Sequence, residues 1–175
     1  MRNRLTFVVA VMSLIGAGAL AAPAAPAGRV SVAVAFSPRV ETKLRERFGP
    51  KEADVLRDAV TRAVGDSLAQ PTAAGAAARA LAVDVEITDL EPTHPTRAQS
   101  AESPGLDPHL SRSLGGAAMT GIVHDADGTV LARLAVSRFA PDLSQISASG
   151  DAWADARLAI QLFASKLARK VAAQR

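Results

Sequence analysis

The chain has 175 residues, of which 49% are hydrophobic, 21% charged and 3% aromatic. This balance excludes an intrinsically disordered protein, and the length suits one globular domain with its own core. The sequence has no cysteine, which excludes disulfides, thiolate metal sites and a cysteine nucleophile. No internal repeat is visible, which excludes a solenoid.

Residues 1–21 have the composition of a secretory signal peptide. Arg2 and Arg4 precede the apolar run Leu5–Leu20, and the small residues Ala19 and Ala21 offer a cleavage site. The run is short for a membrane span, which needs roughly 20 residues. We therefore predict a signal peptide over 1–21, no transmembrane anchor after cleavage, and a periplasmic or secreted location.

Cleavage changes the charge balance of the chain. The signal peptide carries two of the 20 basic residues and none of the 17 acidic ones, so the mature chain is almost neutral. A neutral domain lacks the positive field that nucleic-acid binding requires. The glycine-rich phosphate-binding motifs are also missing from the sequence. We predict no nucleic-acid partner and no cofactor.

The first half of the mature chain predicts a strand followed by helices. An Ala/Pro linker at 22–28 leads into a single domain over 29–175. The first strand alternates apolar and small residues, which predicts cover on both of its faces. A helix beginning near Pro50 carries an apolar stripe that includes Val55. The predicted elements are a strand over Arg29–Phe36, a short helix over 39–48, a helix from Pro50 to Pro71, and a loop over 72–80.

The second half predicts three strands and a final helix. One strand alternates apolar and charged residues, so one of its faces should be solvated. The turn Asp125–Gly128 has hairpin chemistry because glycine accepts a positive φ. Asp151 is placed to cap the last helix. The predicted elements are strands over Leu81–Leu90, Gly115–His124 and Thr129–Phe139, and a helix over Asp151–Ala173.

Together these elements predict an α+β fold. The order β-α-β-β-β-α favours a two-layer sandwich, in which two amphipathic helices cover one face of a mostly antiparallel four-stranded sheet. The pattern does not give the order of the strands in the sheet.

The most polar chemistry lies in a long connection over residues 92–116, which has no periodicity. Imidazole and carboxylate groups could together bind a divalent ion or transfer protons. Their spacing matches no metal-binding motif, so a solvated loop is the favoured explanation and we predict no metal site. The candidate ligand-binding residues are His94, Arg97, Asp107, His109 and Arg112. The paired glycines Gly115 and Gly116 indicate either a close approach by a ligand or by another strand, or a simple turn.

Two leucines of the last helix lie away from its apolar stripe. Leu158 and Leu162 fall on the side opposite Ile160, at the spacing of a helix. Apolar residues on a solvated helix face can mark a partner surface, although single exposed leucines are also common. We keep Leu158 and Leu162 as a candidate partner surface.

Several segments carry a family resemblance: Val32–Pro38, Phe48–Leu56, Val83–Asp89, His94–Gln99, Pro104–Asp107, Ser113–Ala117 and Gly150–Arg157. Through them the chain resembles a group of small secreted proteobacterial proteins with no known activity. The resemblance implies export and a small α+β domain, and nothing about chemistry.

These observations lead to three hypotheses of function. The first is a soluble periplasmic, non-enzymatic binding or accessory domain, whose partner is an unknown envelope protein or small ligand. The second is a small metal-dependent enzyme or hydrolase that uses His94, Asp107 and His109. The third is an envelope structural protein that self-associates through its last helix.

Overall fold

A computed structural model describes residues 30–69 and 80–174 of the chain. The predictions for the signal peptide at 1–21, the linker at 22–28, the helix stop at Pro71 and the loop at 72–79 lie outside the described residues.

Four strands form one sheet in the order of the sequence, which confirms the α+β prediction. The strands are β1 (Val30–Phe36), β2 (Leu81–Glu91), β3 (Gly116–His124) and β4 (Val130–Phe139). β1 pairs with β2 in parallel, and the β2–β3 and β3–β4 pairs are antiparallel. A parallel pair needs a crossover, and the helical segment between β1 and β2 supplies it.

Two long helices cover one face of this sheet, as predicted. The helices are α1 (Pro38–Lys43), α2 (Lys51–Ala69), α3 (Arg97–Glu102) and α4 (Ala154–Ala172). The long helix α2 lies over β1, the long helix α4 lies over β3 and β4, and the two contact each other. Of the two short helices, α1 continues into a π-helical turn at Leu44–Phe48, and α3 was not predicted. Within the part of the chain that the structure describes, no helix is both long and apolar enough to span a bilayer.

The core lies between the sheet and the two long helices. On β2 the side chains of Val83, Val85 and Ile87 are buried, whereas Asp84 and Glu86 are exposed on the other face. This is the predicted alternation, and it arises because successive strand residues point to opposite faces. The helix-covered face is therefore the core face, and the other face of the sheet is open.

A glycine at the centre of β3 sets how closely α4 can approach. A Cβ atom at Gly121 would lie 2.5 Å from a ring carbon of Phe163, which is fully buried on α4. Any larger residue would therefore push α4 away from the sheet. The glycine places α4, and with it the loops that flank the start of α4.

Two burial predictions for the first half of the chain are wrong. Ser31, Ala33 and Ala35 of β1 are exposed, so β1 is covered on one face only. Small residues fit a covered strand and an open strand equally well, which is why the pattern misled. Val55 is 39% exposed and does not belong to the core stripe of α2. It lies about 100° around the helix from the buried Leu56, since each residue turns the helix by that angle.

The start of α4 is fixed by side chains from two directions. Trp153 donates its indole N–H to Glu52 on α2 (2.6 Å) and packs edge-on against Phe48. Its backbone N–H donates to Asp151 (2.9 Å). The prediction that Asp151 caps this helix is wrong: α4 begins at Ala154, its N-cap residue is Trp153, and no side chain caps it. Asp151 instead orders the turn that precedes α4.

Candidate functional site: the loop end of the sheet

Two connections meet at one end of the sheet, and we call them together the loop end (residues 92–115 and 140–153). The first joins β2 to β3 and the second joins β4 to α4. Backbone hydrogen bonds tie them together at two points: Thr93 donates to Ala152 (2.7 Å), and Ala140 donates to Gly115 (2.9 Å). The loop end is therefore one connected structure.

A buried polar pair lies beneath these loops. Thr93 and Asp155 are both completely buried. The Thr93 hydroxyl donates to Asp155 Oδ2 (3.0 Å) and accepts the backbone N–H of Asp155 (3.0 Å). The backbone N–H of Ser147, in the second loop, also donates to this carboxylate (3.2 Å to Oδ1). Because buried polar groups need partners, this pair fixes both loops to the first turn of α4.

The charge of Asp155 is compensated from β4. Arg138 Nη1 lies 3.9 Å from Asp155 Oδ1, and it has no hydrogen-bond partner among the described residues although the atom itself is buried. The position of Asp155 in the first turn of α4 also favours its negative charge, because the helix dipole is positive there. The Asp155 carboxylate thus has Arg138 as its charge partner at 3.9 Å and the groups of Thr93 and Ser147 as its hydrogen-bond donors.

The paired glycines make this packing possible. A Cβ atom at Gly115 would lie 2.3 Å from the Thr93 hydroxyl, and one at Gly116 would lie 2.3 Å from the carbonyl oxygen of Arg138. Of the two interpretations of these glycines, the close approach of another part of the chain therefore applies. The neighbour is the protein's own backbone and Thr93.

The first loop is more ordered than its sequence suggests. Thr96 and Gln99 form a capping box: the Thr96 side chain accepts the N–H of Gln99 (3.3 Å), and the Gln99 side chain accepts the N–H of Thr96 (3.1 Å). This starts the short helix α3. The spacing Thr-x-x-Gln is a recognisable helix-start signal, and the sequence analysis missed it.

The structure separates the two histidines that were candidates for one site. His94 is 3% exposed, and its Nδ1 lies 3.1 Å from the carbonyl oxygen of Ser111. His109 is exposed at the surface. The hydroxyl oxygen of Ser111 also accepts the backbone N–H of Asp107 (3.0 Å). His94 therefore belongs to the loop's internal hydrogen bonds.

Asp107 holds a turn at the tip of the same loop. Its carboxylate accepts the backbone N–H groups of His109 (2.7 Å) and Leu110 (2.9 Å). These two hydrogen bonds lower the pKa of Asp107. Arg97 and Arg112 are both exposed, Arg97 in the first turn of α3 and Arg112 after the turn. Over residues 30–69 and 80–174, no cluster of three histidine, aspartate or glutamate side chains is arranged to hold a metal ion.

The second loop has a similar turn. Asp142 accepts the hydroxyl (2.6 Å) and the backbone N–H (2.9 Å) of Ser144, together with the side-chain amide of Gln145 (3.0 Å). The hydrogen bonds from Ser144 lower the pKa of Asp142. Both loops therefore carry an aspartate-centred turn at their exposed part.

Exposed leucines are the feature of the loop end that sequence reasoning missed. Of the seven large hydrophobic residues that are exposed in the described part of the chain, four lie in these two loops. Leu110 is the most exposed at 81%, followed by Leu143 at 61%. The signal in the sequence was a set of leucines inside a segment otherwise rich in proline and charge. The four are Leu106, Leu110, Leu114 and Leu143.

The structure also places the two leucines of the last helix. Leu158 is 39% exposed, whereas Leu162 is half-buried and packs against the core. The two residues lie one turn apart on the same side of α4, and only Leu158 of the two is exposed. A groove of about 460 Å³ runs nearby between α2 and α4, and it is open to solvent along its length.

Comparison with protein-family models, with curated proteins and with solved structures gave no match. The resemblance to secreted proteobacterial proteins therefore stays a prediction.

Proposed function

We propose that the protein is an exported, non-enzymatic binding domain whose loop end contacts a protein partner in the cell envelope. The observation that carries this proposal is the grouping of Leu106, Leu110, Leu114 and Leu143 on loops at one end of the sheet. Large apolar side chains that project together into solvent usually mark an interaction surface.

The loops are held in shape before any partner arrives. The Thr93–Asp155 pair anchors their bases, and the turns at Asp107 and Asp142 order their exposed parts. Less conformational entropy is then lost on binding, which favours affinity from a small surface. This is the property expected of a recognition surface on a rigid scaffold.

The charge of the loop end favours a protein over a membrane. The first loop carries Arg97 and Arg112 against Glu102 and Asp107, and the second loop adds the two acids Asp142 and Asp151. Binding to an anionic lipid surface needs an excess of basic residues around the apolar ones. The balance here is slightly acidic, so a protein surface with an apolar patch is the better match.

The proposal is tested by capturing partners from an envelope extract with chemical cross-linking. The test variant is Leu110→Asp combined with Leu143→Asp. The matched control is Ala126→Asp combined with Val130→Asp, two exposed positions at the turn between β3 and β4, which lies at the opposite end of the sheet. We expect the wild type and the control to retain the same partner, and the loop variant to bind it at least about tenfold more weakly, since loss of central apolar contacts costs above about 1 kcal/mol each.

Equal melting temperatures of the two double variants would show that the weaker partner binding of the loop variant is a local effect and does not come from unfolding. Retention of the same partner by the loop variant at wild-type levels would refute the proposed surface.

A further inference from the structure

The outer edge of β1 is a second surface of this molecule with backbone hydrogen-bonding groups that no described strand pairs with. Ser37 donates its backbone N–H to Ile87 on β2 (3.0 Å), so the odd-numbered residues of β1 bond with β2. In a parallel pair, alternate residues direct both backbone groups to opposite sides. The backbone N–H and C=O groups of the even-numbered residues therefore point away from β2, to the outer edge, where no described strand pairs with them. These residues are Val30, Val32, Val34 and Phe36.

β1 lacks the features that keep edge strands from pairing. Its seven residues include no charged residue and no proline. The opposite edge strand, β4, differs in both sequence and cover: it contains Arg133 and Arg138, and Lys170 on α4 donates to the carbonyl oxygen of Arg133 (2.7 Å). Monomeric proteins use charges of this kind to block edge-to-edge association. Among the described residues, the β1 edge has one cation beside it, since the guanidinium of Arg57 on α2 lies 4.9 Å from the ring centroid of Phe36, but β1 itself carries none.

We propose that two copies of this chain pair through β1 in antiparallel orientation and form one continuous sheet. The strand is self-complementary about Ala33. With Ala33 on the two-fold axis, Val32 lies opposite Val34 and Val30 lies opposite Phe36, so the outward backbone groups meet and all seven residues pair. Apolar side chains then face apolar side chains on the helix-covered side, and small ones face small ones on the open side.

The half-burial of the β1 valines supports a second copy as the occupant. Val30, Val32 and Val34 point to the core side but remain partly exposed, because β1 has no neighbour on its outer edge. A strand that covers them must carry apolar residues on one face and small residues on the other. β1 of a second copy meets this requirement, and the absence of charge means that no like charges are brought together.

Gly65 on α2 gives an independent argument. A helix-interior glycine destabilises a helix relative to alanine, and a Cβ atom here would meet nothing within 4 Å. Gly65 lies about 200° around the helix from Ala63, which faces α4 across the groove. It therefore lies on the side of α2 that is turned away from α4, where the missing side chain leaves room for a second α2 helix.

The first test is sedimentation of the purified protein over concentrations from about 1 µM to about 1 mM, the range in which weak interfaces form. The variant is Ala33→Lys, which places two like charges at the axis but leaves each copy a cross-strand partner, Asp84. Its matched control is Ala135→Lys on the β4 edge, also exposed. We expect concentration-dependent dimers for wild type and control, and monomers for Ala33→Lys.

The second test uses the absence of cysteine from the chain. A single Ala33→Cys should form a disulfide-linked dimer on mild oxidation, because residues on the axis lie about 4.5 Å apart at their Cα atoms. Ala35→Cys is equally exposed, but its two copies would lie about 14 Å apart along the strand, since an extended chain rises ~3.4 Å per residue. We expect no disulfide there.

Two results would overturn the proposal. One is a wild-type protein that stays monomeric over the whole concentration range. The other is a dimer that survives Ala33→Lys, or that cross-links as readily through Ala35→Cys as through Ala33→Cys. Circular dichroism and melting temperature confirm that each variant is folded.

Discussion

Thr93 and Asp155 show how two residues far apart in sequence can order a large surface. The pair joins positions separated by 62 residues and is fully buried. Neither residue stands out in the sequence: Thr93 follows a strand, and Asp155 looks like a first-turn helix acid. Their importance comes from burial, because a buried carboxylate without donors is far costlier than one at the surface.

Replacing Thr93 by valine should therefore destabilise the fold. Valine has almost the same side-chain shape as threonine but lacks the hydroxyl group. The carboxylate of Asp155 therefore loses a hydrogen-bond donor, and the backbone N–H of Asp155 loses its acceptor. We expect the free energy of unfolding to fall by about 1–3 kcal/mol, as for other buried groups left unsatisfied. Urea denaturation measures it. Thr120→Val, at an exposed strand position, is the control and should change stability little. Identical denaturation midpoints for both variants would contradict this role of Thr93.

At the scale of elements, the regular parts of the fold were predictable and the loops were only partly so. The alternation in β2 and the turn Asp125–Gly128 gave correct strands, since both signals are local; in the structure Gly128 has φ 80° and Asp125 accepts two backbone amides. The parallel pairing of β1 with β2 was not predictable, because strand order depends on contacts between distant residues.

The connection at 92–116 was predictable as a segment between two strands, but the surroundings of its side chains were not. Its polar residues divide into a buried group, represented by His94, and an exposed group, represented by His109. Residue type does not distinguish the two. The two groups differ because Thr93, beside His94, is hydrogen-bonded to Asp155 of α4, and only this first part of the loop is buried.

The contact between α1 and β2 predicts a specific dependence on pH. Lys43 is buried, and its ammonium donates to Asp89 (2.8 Å) and to the carbonyl oxygen of Leu90 (3.0 Å). Burial opposes the charge of Asp89, but hydrogen bonds from Lys43 and from the Leu90 amide, with the nearby cations, outweigh it and lower the pKa of Asp89.

Because the pKa of Asp89 is lowered in the folded protein, the stabilisation that its carboxylate provides is fully present at pH values above the ordinary aspartate pKa. This stabilisation is lost as the pH falls through the lowered, folded-state pKa. Asp89→Asn should therefore cost up to about 1 kcal/mol at neutral pH, and the difference from wild type should shrink below about pH 4. Chemical denaturation at several pH values measures it. The control Asp58→Asn removes an exposed α2 carboxylate and should show no such convergence. A difference that does not change with pH would rule out the Lys43–Asp89 contact as its source.

At the scale of the whole molecule, export is the prediction with the widest consequences. We expect expression in a Gram-negative host to yield a periplasmic protein whose first residue is Ala22, identified by N-terminal sequencing after fractionation. Ala21→Phe is the control, because the peptidase accepts only small residues at that position, and it should leave an uncut precursor. Intact wild-type chain in the cytoplasm would contradict the prediction.

The way the loop end is anchored has a consequence for altering the protein. All residues from 101 to 110 and from 141 to 145 are exposed, while the Thr93–Asp155 pair that anchors the bases of both loops lies outside these stretches. Foreign peptides could therefore replace these tips while the Thr93–Asp155 pair stays intact. A chain without cysteine also makes such grafts easy to label at one chosen position.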